Sequence, residues 1–328
     1  MYRGARFRIT PSVCRFFCLP KGQRLRIQVT NHQDKADVLI QAITDAGHEI
    51  VSDNADLLLI DFDGPVSYYP KRIERAYEEG ADVYLYSHGG HPITAWDGVW
   101  TPSDKIAGYL AQTPGQKAVM EAYGYPHPIR VIGWHYSELL PFEKTSAKRV
   151  LFAPWHPQGT GWLIDEGKEA NERIFNQLTR MTDIEITCRF VFRLEDNHVP
   201  FVENVRYEKS DRRLASAIES IKAADVVVSY GTLAYLAVAL GKPTIMYGQD
   251  CRPYDGYSEE TKRYVKSWDK YREMMHYPHD GSRLGDIGMY YLLKQGCQTE
   301  ATKWRQEFIG EAFDPGAFVR LLEGLKNG

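Results

Sequence analysis

Strand-like and helix-like segments alternate along this chain in two separate series. That alternation predicts an α/β protein of two Rossmann-like domains facing across a cleft, with a helical C-terminal region. Three observations carry the prediction. Residues 56–61 (DLLLID) and 225–229 (DVVVS) are near-continuous apolar runs, as strands of a parallel sheet covered on both faces require. Runs with helical spacing stop at Gly47, Gly80, Gly124 and Gly241, the residue type that ends helices. The polar stretch 137–148, which contains Pro141 and has no clear period, separates the two series as a linker.

Taken in order, residues 24–30 alternate as a strand, 35–46 form a helix, 56–61 a strand, 70–79 a charged helix and 82–87 a strand. Residues 115–123 then read as a helix and 129–133 as a strand. After the linker, 149–153 is a strand, 165–180 a helix, 184–192 a strand and 211–223 a helix. Strand 225–229, helix 231–240 and strand 243–247 complete the second series, and 315–326 is a last amphipathic helix. The expected division is a basic N-terminal arm over 1–23, a first Rossmann-like domain over 24–140, a second over 149–310, and a C-terminal helix over 311–328.

Bulk composition sets bounds on function. The 328 residues exceed what one core usually supports, which agrees with two domains. A net charge of -3 gives no general push toward nucleic acid or an anionic membrane. The first stretch is an exception: it carries Arg3, Arg6, Arg8, Arg15, Lys21, Arg24 and Arg26 before the first acidic residue, Asp34, and the arm reads as a solvated basic tail. The apolar run at 16–19 is too short for a secretory signal, and no run approaches a membrane span, so a cytoplasmic location is expected. Five cysteines, an odd number with no CxxC pair, suggest reduced thiols rather than a disulfide framework or a zinc site.

In a doubly wound sheet ligands bind beyond the carboxyl ends of the strands, so the loops there are where chemistry is expected. Residues 225–250 are the strongest case. A buried strand ends at Ser229, and Gly231 and Thr232 open a helix whose free N–H groups and dipole favour a phosphate. The polar Gln249 and Asp250 follow the next strand on the same edge and suit sugar hydroxyls. The loop after strand 149–153 offers His156, Gly159 and Thr160. In the first series the strand 82–87 runs into Ser87-His88-Gly89-Gly90-His91-Pro92, where a histidine of ordinary basicity suits removal of a hydroxyl proton. Asp61-Phe62-Asp63 is a DxD pattern, a common divalent-metal motif, but three residues recur often by chance. Tyr264, Trp268 and Tyr271 form one helical stripe among basic residues, a face that packs or stacks on an acceptor.

The run DVVVS-x-GT…ALGKPTIMYG-x-D at 225–250 resembles the donor half of the GT-B glycosyltransferases, and of the related CDP-glycerol glycerophosphotransferases and UDP-N-acetylglucosamine 2-epimerases. VLFAP at 150–154 resembles the start of their second domain, and HGGHP at 88–92 the loop that carries the proposed base in the glycerophosphotransferases. Gly133 matches a glycine that closes their first domain, while the proline and aspartate beyond it are replaced near His135 and Ser137. The resemblance implies a donor site at His156, Gly159, Thr160, Ser229, Gly231, Thr232, Gln249 and Asp250. It implies His88 as base, with His91 and Asp63 as second choices. It further implies no metal and no cofactor besides a nucleotide-sugar donor substrate. One departure stands out: these families place a carboxylate seven residues before the proline for the donor ribose, and here that residue is Leu236. The expected activity is transfer of a sugar from the nucleotide-sugar donor to a hydroxyl acceptor of unassigned class. A modified DNA base is a minor possibility among acceptors, and nucleic acid is not favoured. Alternatives are polyol phosphotransfer from a CDP-glycerol-type donor, 2-epimerisation of a nucleotide sugar, and nucleotide-sugar binding without catalysis.

Overall fold

A computed structural model of the chain describes residues 24–30, 34, 36–61, 70–86, 104–122, 125–142, 147–154, 164–191, 199–229, 231–247 and 299–327. The first domain is a six-stranded parallel sheet. Its strands are β1 (Arg26–Val29), β2 (Glu49–Ile50), β3 (Leu57–Asp61), β4 (Asp82–Tyr86), β5 (Ile106–Ala111) and β6 (Ile129–Val131), in the order β2-β1-β3-β4-β5-β6. Helices α1 (Asp37–Asp45), α2 (Pro70–Glu78) and α3 (Pro114–Ala122) make the crossovers.

Strand alternation sorts the apolar runs onto two faces. Leu57 and Leu59 join Ile27, Tyr84 and Tyr86 in one core cluster, against Leu39 and Ile43 of α1. Leu58 and Ile60 join Val83, Leu85 and Tyr109 in the other, against Ile73 of α2 and Met120 of α3.

The second domain repeats the plan with five parallel strands. They are β7 (Arg149–Ala153), β8 (Glu185–Phe190), β9 (Val205–Lys209), β10 (Val226–Ser229) and β11 (Thr244–Met246), ordered β11-β10-β7-β8-β9. Helix α4 (Ile164–Thr179) covers one face, where Phe152, Val226, Val228 and Tyr247 meet Ile174, Phe175 and Leu178. The other face packs on α5 (Leu214–Ala223) and α6 (Gly231–Ala239). Cys188 lies inside this domain, and burial pushes its thiol up to about 12, so it stays protonated and serves packing.

Two terminal helices tie the domains together. Helix α7 (Thr299–Phe308) stacks Trp304 and Phe308 on Tyr235 of α6, with ring centroids 5.8 and 5.9 Å apart, and it also contacts α3 of the first domain. Beyond a bridge between Trp134 and Ala312, helix α8 (Pro315–Asn327) returns to the first sheet. There Phe318 and Leu322 complete the cluster built on Leu25, Ile27 and Leu57. Lys326 reaches Asp82 at 3.6 Å and the carbonyls of Asp56 and Gly80 at 3.4 Å each. The linker is held just as closely: Leu140 N–H donates to Ala239 O at 2.9 Å, and Arg305 donates to Leu140 O and lies over the Phe142 ring.

Three strands go beyond the sequence reading. β2 has only two residues, the apolar run of β5 is broken by Gly108, and β9 is a polar strand (VRYEK) at the sheet edge. Each lacks the long apolar run that marks a strand covered on both faces.

Candidate functional site

Sheet order locates the site before any side chain is considered. In the second domain the chain winds outward through β7, β8 and β9, then returns to the other side of β7 to form β10. The winding reverses between β7 and β10, and the crevice beyond the carboxyl ends of those two strands is where such sheets bind ligands. Ser229, the last residue of β10, lies in register with Ala153 of β7 on one side and Met246 of β11 on the other.

Three side chains converge there. Ser229 is 1% exposed, and its hydroxyl donates to the Ala153 carbonyl at 3.3 Å. Tyr247, fully buried, crosses over β10 and directs its hydroxyl to Asn171 Oδ1 of α4 at 2.9 Å, with the Ala153 carbonyl 3.2 Å away. The ring of Tyr247 stacks on Phe152 at 5.9 Å.

Helix α6 opens directly above this floor. Gly231, its first residue, has φ +67, a left-handed backbone that favours glycine. Gly231 and Ala234 through Ala239 are buried, while Thr232 is half-buried. A helix apolar on every side belongs in a core, which accounts for Leu236. At 2% exposure it sits in the cluster with Trp134, Tyr136 and Trp304, where an unpaired carboxylate would be costly.

The first domain has a matching reversal between β1 and β3. Asp61 ends β3 at 4% exposure, and its N–H donates to Thr30 Oγ1 at 2.5 Å. Tyr86 ends β4 in register with Asp61, and its hydroxyl reaches across β3 to the Thr30 carbonyl. Just beyond β1, Asp34 adopts φ +64, and its buried Oδ1 has no hydrogen-bond partner among the described residues. Further along, Gln112, Thr113 and Gln116 are all buried where β5 runs into α3. Gln112 N–H donates to Gln116 Oε1 at 2.7 Å, and the Gln112 amide donates to the Tyr136 hydroxyl. His135, 5% exposed, packs on the ring of Tyr136 at 4.3 Å and on Phe313 at 6.0 Å.

At the far edge of the second sheet, buried Arg189 donates to Glu208 and to the hydroxyls of Ser220 at 2.9 Å and Ser216 at 2.7 Å. This network fastens β8 and β9 to α5. Across the sheet, at its amino edge, Asp225 accepts from the backbone N–H groups of Lys148 and Arg149 at 3.1 and 2.9 Å, and from the Arg149 guanidinium at 2.6 Å.

Of the residues expected from sequence, Ser229, Gly231 and Thr232 are described, and they stand together at the β7–β10 reversal. The Ser229 hydroxyl is turned into the sheet floor. His88, His91, Asp63, His156, Gly159, Thr160, Gln249 and Asp250 lie outside the described residues, as does the stripe of Tyr264, Trp268 and Tyr271. The strands before them, β3, β4, β7 and β11, all end at carboxyl edges. Thr30, Tyr86, Asn171 and Tyr247 carry no mark in the sequence, because a chain in linear order does not reveal which strands are neighbours. Among the described residues, no group of three or more His, Cys, Asp or Glu is placed to hold a metal ion. Nor is any helix among them long and apolar enough to cross a membrane.

No protein-family model and no curated protein matches the chain. Among solved structures it is similar to the glycosyltransferase SnogD from Streptomyces nogalater, at 12% identity and a TM-score of 0.50, over 92% of this chain and 99% of that one. It is also similar to a UDP-GlcNAc 2-epimerase from Neisseria meningitidis bound to UDP-GlcNAc, at 11% identity and a TM-score of 0.47, over 93% of this chain. That match spans 99% of the epimerase. A third likeness is to TarM, at 13% identity and a TM-score of 0.43; it covers 84% of this chain but spans only 56% of TarM. At such identities the likeness is one of fold: the chain has the GT-B architecture of two Rossmann-like α/β domains with helices at its C-terminus.

Proposed function

We propose that the chain is a glycosyltransferase that binds a nucleotide-sugar donor on its second domain and transfers the sugar to a hydroxyl acceptor. The observation that carries this reading is the junction of β10 and α6: Ser229 ends a strand at the topological reversal, and the helix opens on a left-handed Gly231. The first N–H groups of a helix have no partner within it, and its dipole places partial positive charge at that end. A diphosphate seated there is stabilised as it leaves, so the reaction needs no metal ion for that step. The glycine allows close approach, and the Thr232 hydroxyl adds a donor at the same turn. The likeness to the glycosyltransferase SnogD over nearly the full length of both chains supports the reading.

In this reading the acceptor binds on the first domain, and His88 removes its hydroxyl proton as it attacks the anomeric carbon. His91 and Asp63 are the other residues suited to that role, and Gln249 and Asp250 suit the sugar hydroxyls of the donor. His156, Gly159 and Thr160 follow β7 and suit its phosphates. With Leu236 in the core, the ribose contact falls to another loop of the donor domain.

Thermal unfolding with UDP, GDP, CDP and dTDP, their common sugars and CDP-glycerol, with and without Mg²⁺, tests the proposal. A ligand at about 100 times its dissociation constant stabilises by about 2.7 kcal/mol. A metal-independent shift with one nucleotide and its sugar is expected. A shift with CDP-glycerol alone replaces sugar transfer with polyol phosphotransfer, and silence across the panel removes the enzymatic reading. With the donor known, His88→Ala is expected to abolish transfer and leave donor affinity unchanged.

A further inference from the structure

We infer that Tyr247 is a positioning residue for the donor site, acting through the strand ends that frame the β7–β10 reversal; the inference rests on the donor site proposed above. Each domain carries the same device. A buried tyrosine at the carboxyl end of one strand reaches across its neighbour to the last carbonyl of the reversal strand. Tyr86 spans β3 to reach Thr30 O, and Tyr247 spans β10 to reach Ala153 O. In each case the crossed strand is tied to the same residue, through Asp61 N–H on Thr30 Oγ1 and through Ser229 Oγ on Ala153 O.

The second domain adds a further tie. The single Tyr247 hydroxyl proton is shared between the Ala153 carbonyl at 3.2 Å and Asn171 Oδ1 at 2.9 Å, and Tyr247 and Asn171 are both 0% exposed. Besides α4, which Asn171 brings in, three strand ends are held at this point: the end of β7, which leads to residues 155–163; the end of β10, which leads to Gly231; and the end of β11, which leads to Gln249 and Asp250. These are the segments to which the donor is assigned. Because the ring is sealed in the core against Phe152, the hydroxyl acts on the donor through the backbone it holds rather than by contact. Tyr86 holds the equivalent point of the other domain, and so should influence the acceptor side instead.

The two tyrosines therefore supply a paired test on the full chain. Tyr247→Phe keeps the ring and its stacking and removes one hydroxyl. The net worth of one buried hydrogen bond translates to about a three- to tenfold loss of affinity where that bond sets a binding geometry. Dissociation constants for UDP, GDP, CDP and dTDP, each titrated calorimetrically, are expected to rise by that factor in Tyr247→Phe for whichever nucleotides bind the wild type. They should be unchanged in Tyr86→Phe, even if both variants melt at similarly lowered temperatures. Equal affinities in wild type and Tyr247→Phe overturn the positioning role while leaving the donor site in place, as does an equal loss in both variants. Absence of binding to the wild type overturns the donor-site reading itself, and the positioning role with it. Should Tyr247→Phe fail to fold, Asn171→Leu removes the other half of the contact, and it must weaken nucleotide binding in the same direction for the inference to stand.

Discussion

The linker's grip on the second domain yields a sharp quantitative expectation at Gly241. This residue ends α6 with φ +72, and a Cβ built on it lies 2.1 Å from Pro141 O, 2.7 Å from Pro141 C and 2.8 Å from Leu140 O. Alanine at this position meets two separate costs. The left-handed backbone costs about 1–2 kcal/mol for a residue with a Cβ. The overlap is with backbone atoms, so the linker must move, which breaks the bond from Leu140 N–H to Ala239 O and the one from Arg305 to Leu140 O, at about 1 kcal/mol each. Together Gly241→Ala should cost roughly 3–4 kcal/mol, which lowers the melting temperature by roughly 5–10 °C for a cooperative unit of this size. Gly324→Ala is the control: Gly324 lies in α8 with nothing within 4 Å of the built Cβ, and the change should stabilise by about 0.5–1 kcal/mol. Scanning calorimetry of the two variants beside the wild type decides the matter. A Gly241→Ala protein melting within about 1 °C of wild type would refute the claim that the linker is clamped against the end of α6.

Two further outcomes follow from the second domain. Although burial acts to raise the Asp225 pKa, the hydrogen bonds from the Arg149 side chain and from the Arg149 and Lys148 backbone prevail and hold it below the usual carboxylate range. A lowered folded-state value means stabilisation that is complete above the unfolded pKa, near 3.9, and disappears as pH falls through the lower folded value. Asp225→Asn should accordingly be less stable than wild type by about 1–2 kcal/mol at neutral pH, with the two denaturant curves converging once pH falls below the lowered folded-state pKa; a gap that persists at low pH would place the effect elsewhere. At the start of α6, Thr232→Val preserves shape and removes a hydroxyl, and it should weaken nucleotide binding about threefold to tenfold with little change in melting temperature; undiminished affinity would move the phosphates away from this turn.

How legible the protein was from its sequence varies with the kind of feature. Leu57 to Ile60 and Val226 to Val228 announce strands buried on both faces, since each unbroken apolar run is bounded within a few residues by polar ones, Asp56 and Asp61 or Asp225 and Ser229, and is too short for a buried helix. β9 could not be read in this way: at the sheet edge only Val205 is buried, and what anchors the strand is the side chain of Arg189 from a different strand. The turn at Ser229 and Gly231 was visible as a motif, yet the direction of the Ser229 hydroxyl was not, because its partner Ala153 is 76 residues away in sequence. Leu236 shows the reverse. Against family expectation it looks like a missing ligand, whereas burial of α6 on all sides makes it an ordinary core position. Strand order governs both reversal points, and strand order is a property of contacts rather than of any local pattern.

The return of α8 to the first sheet bears on how the protein is made. Leu25, Ile27 and Leu57 emerge from the ribosome early, but Phe318 and Leu322, which cover them, arrive about 260 to 300 residues later. The second domain can close its α4 face from residues 149–247 alone, while its α6 face awaits Trp304 and Phe308 of α7. Vectorial synthesis therefore leaves both sheets open on one side until the last helices arrive, and the domain made first waits longest, its nascent apolar face a natural client for chaperones.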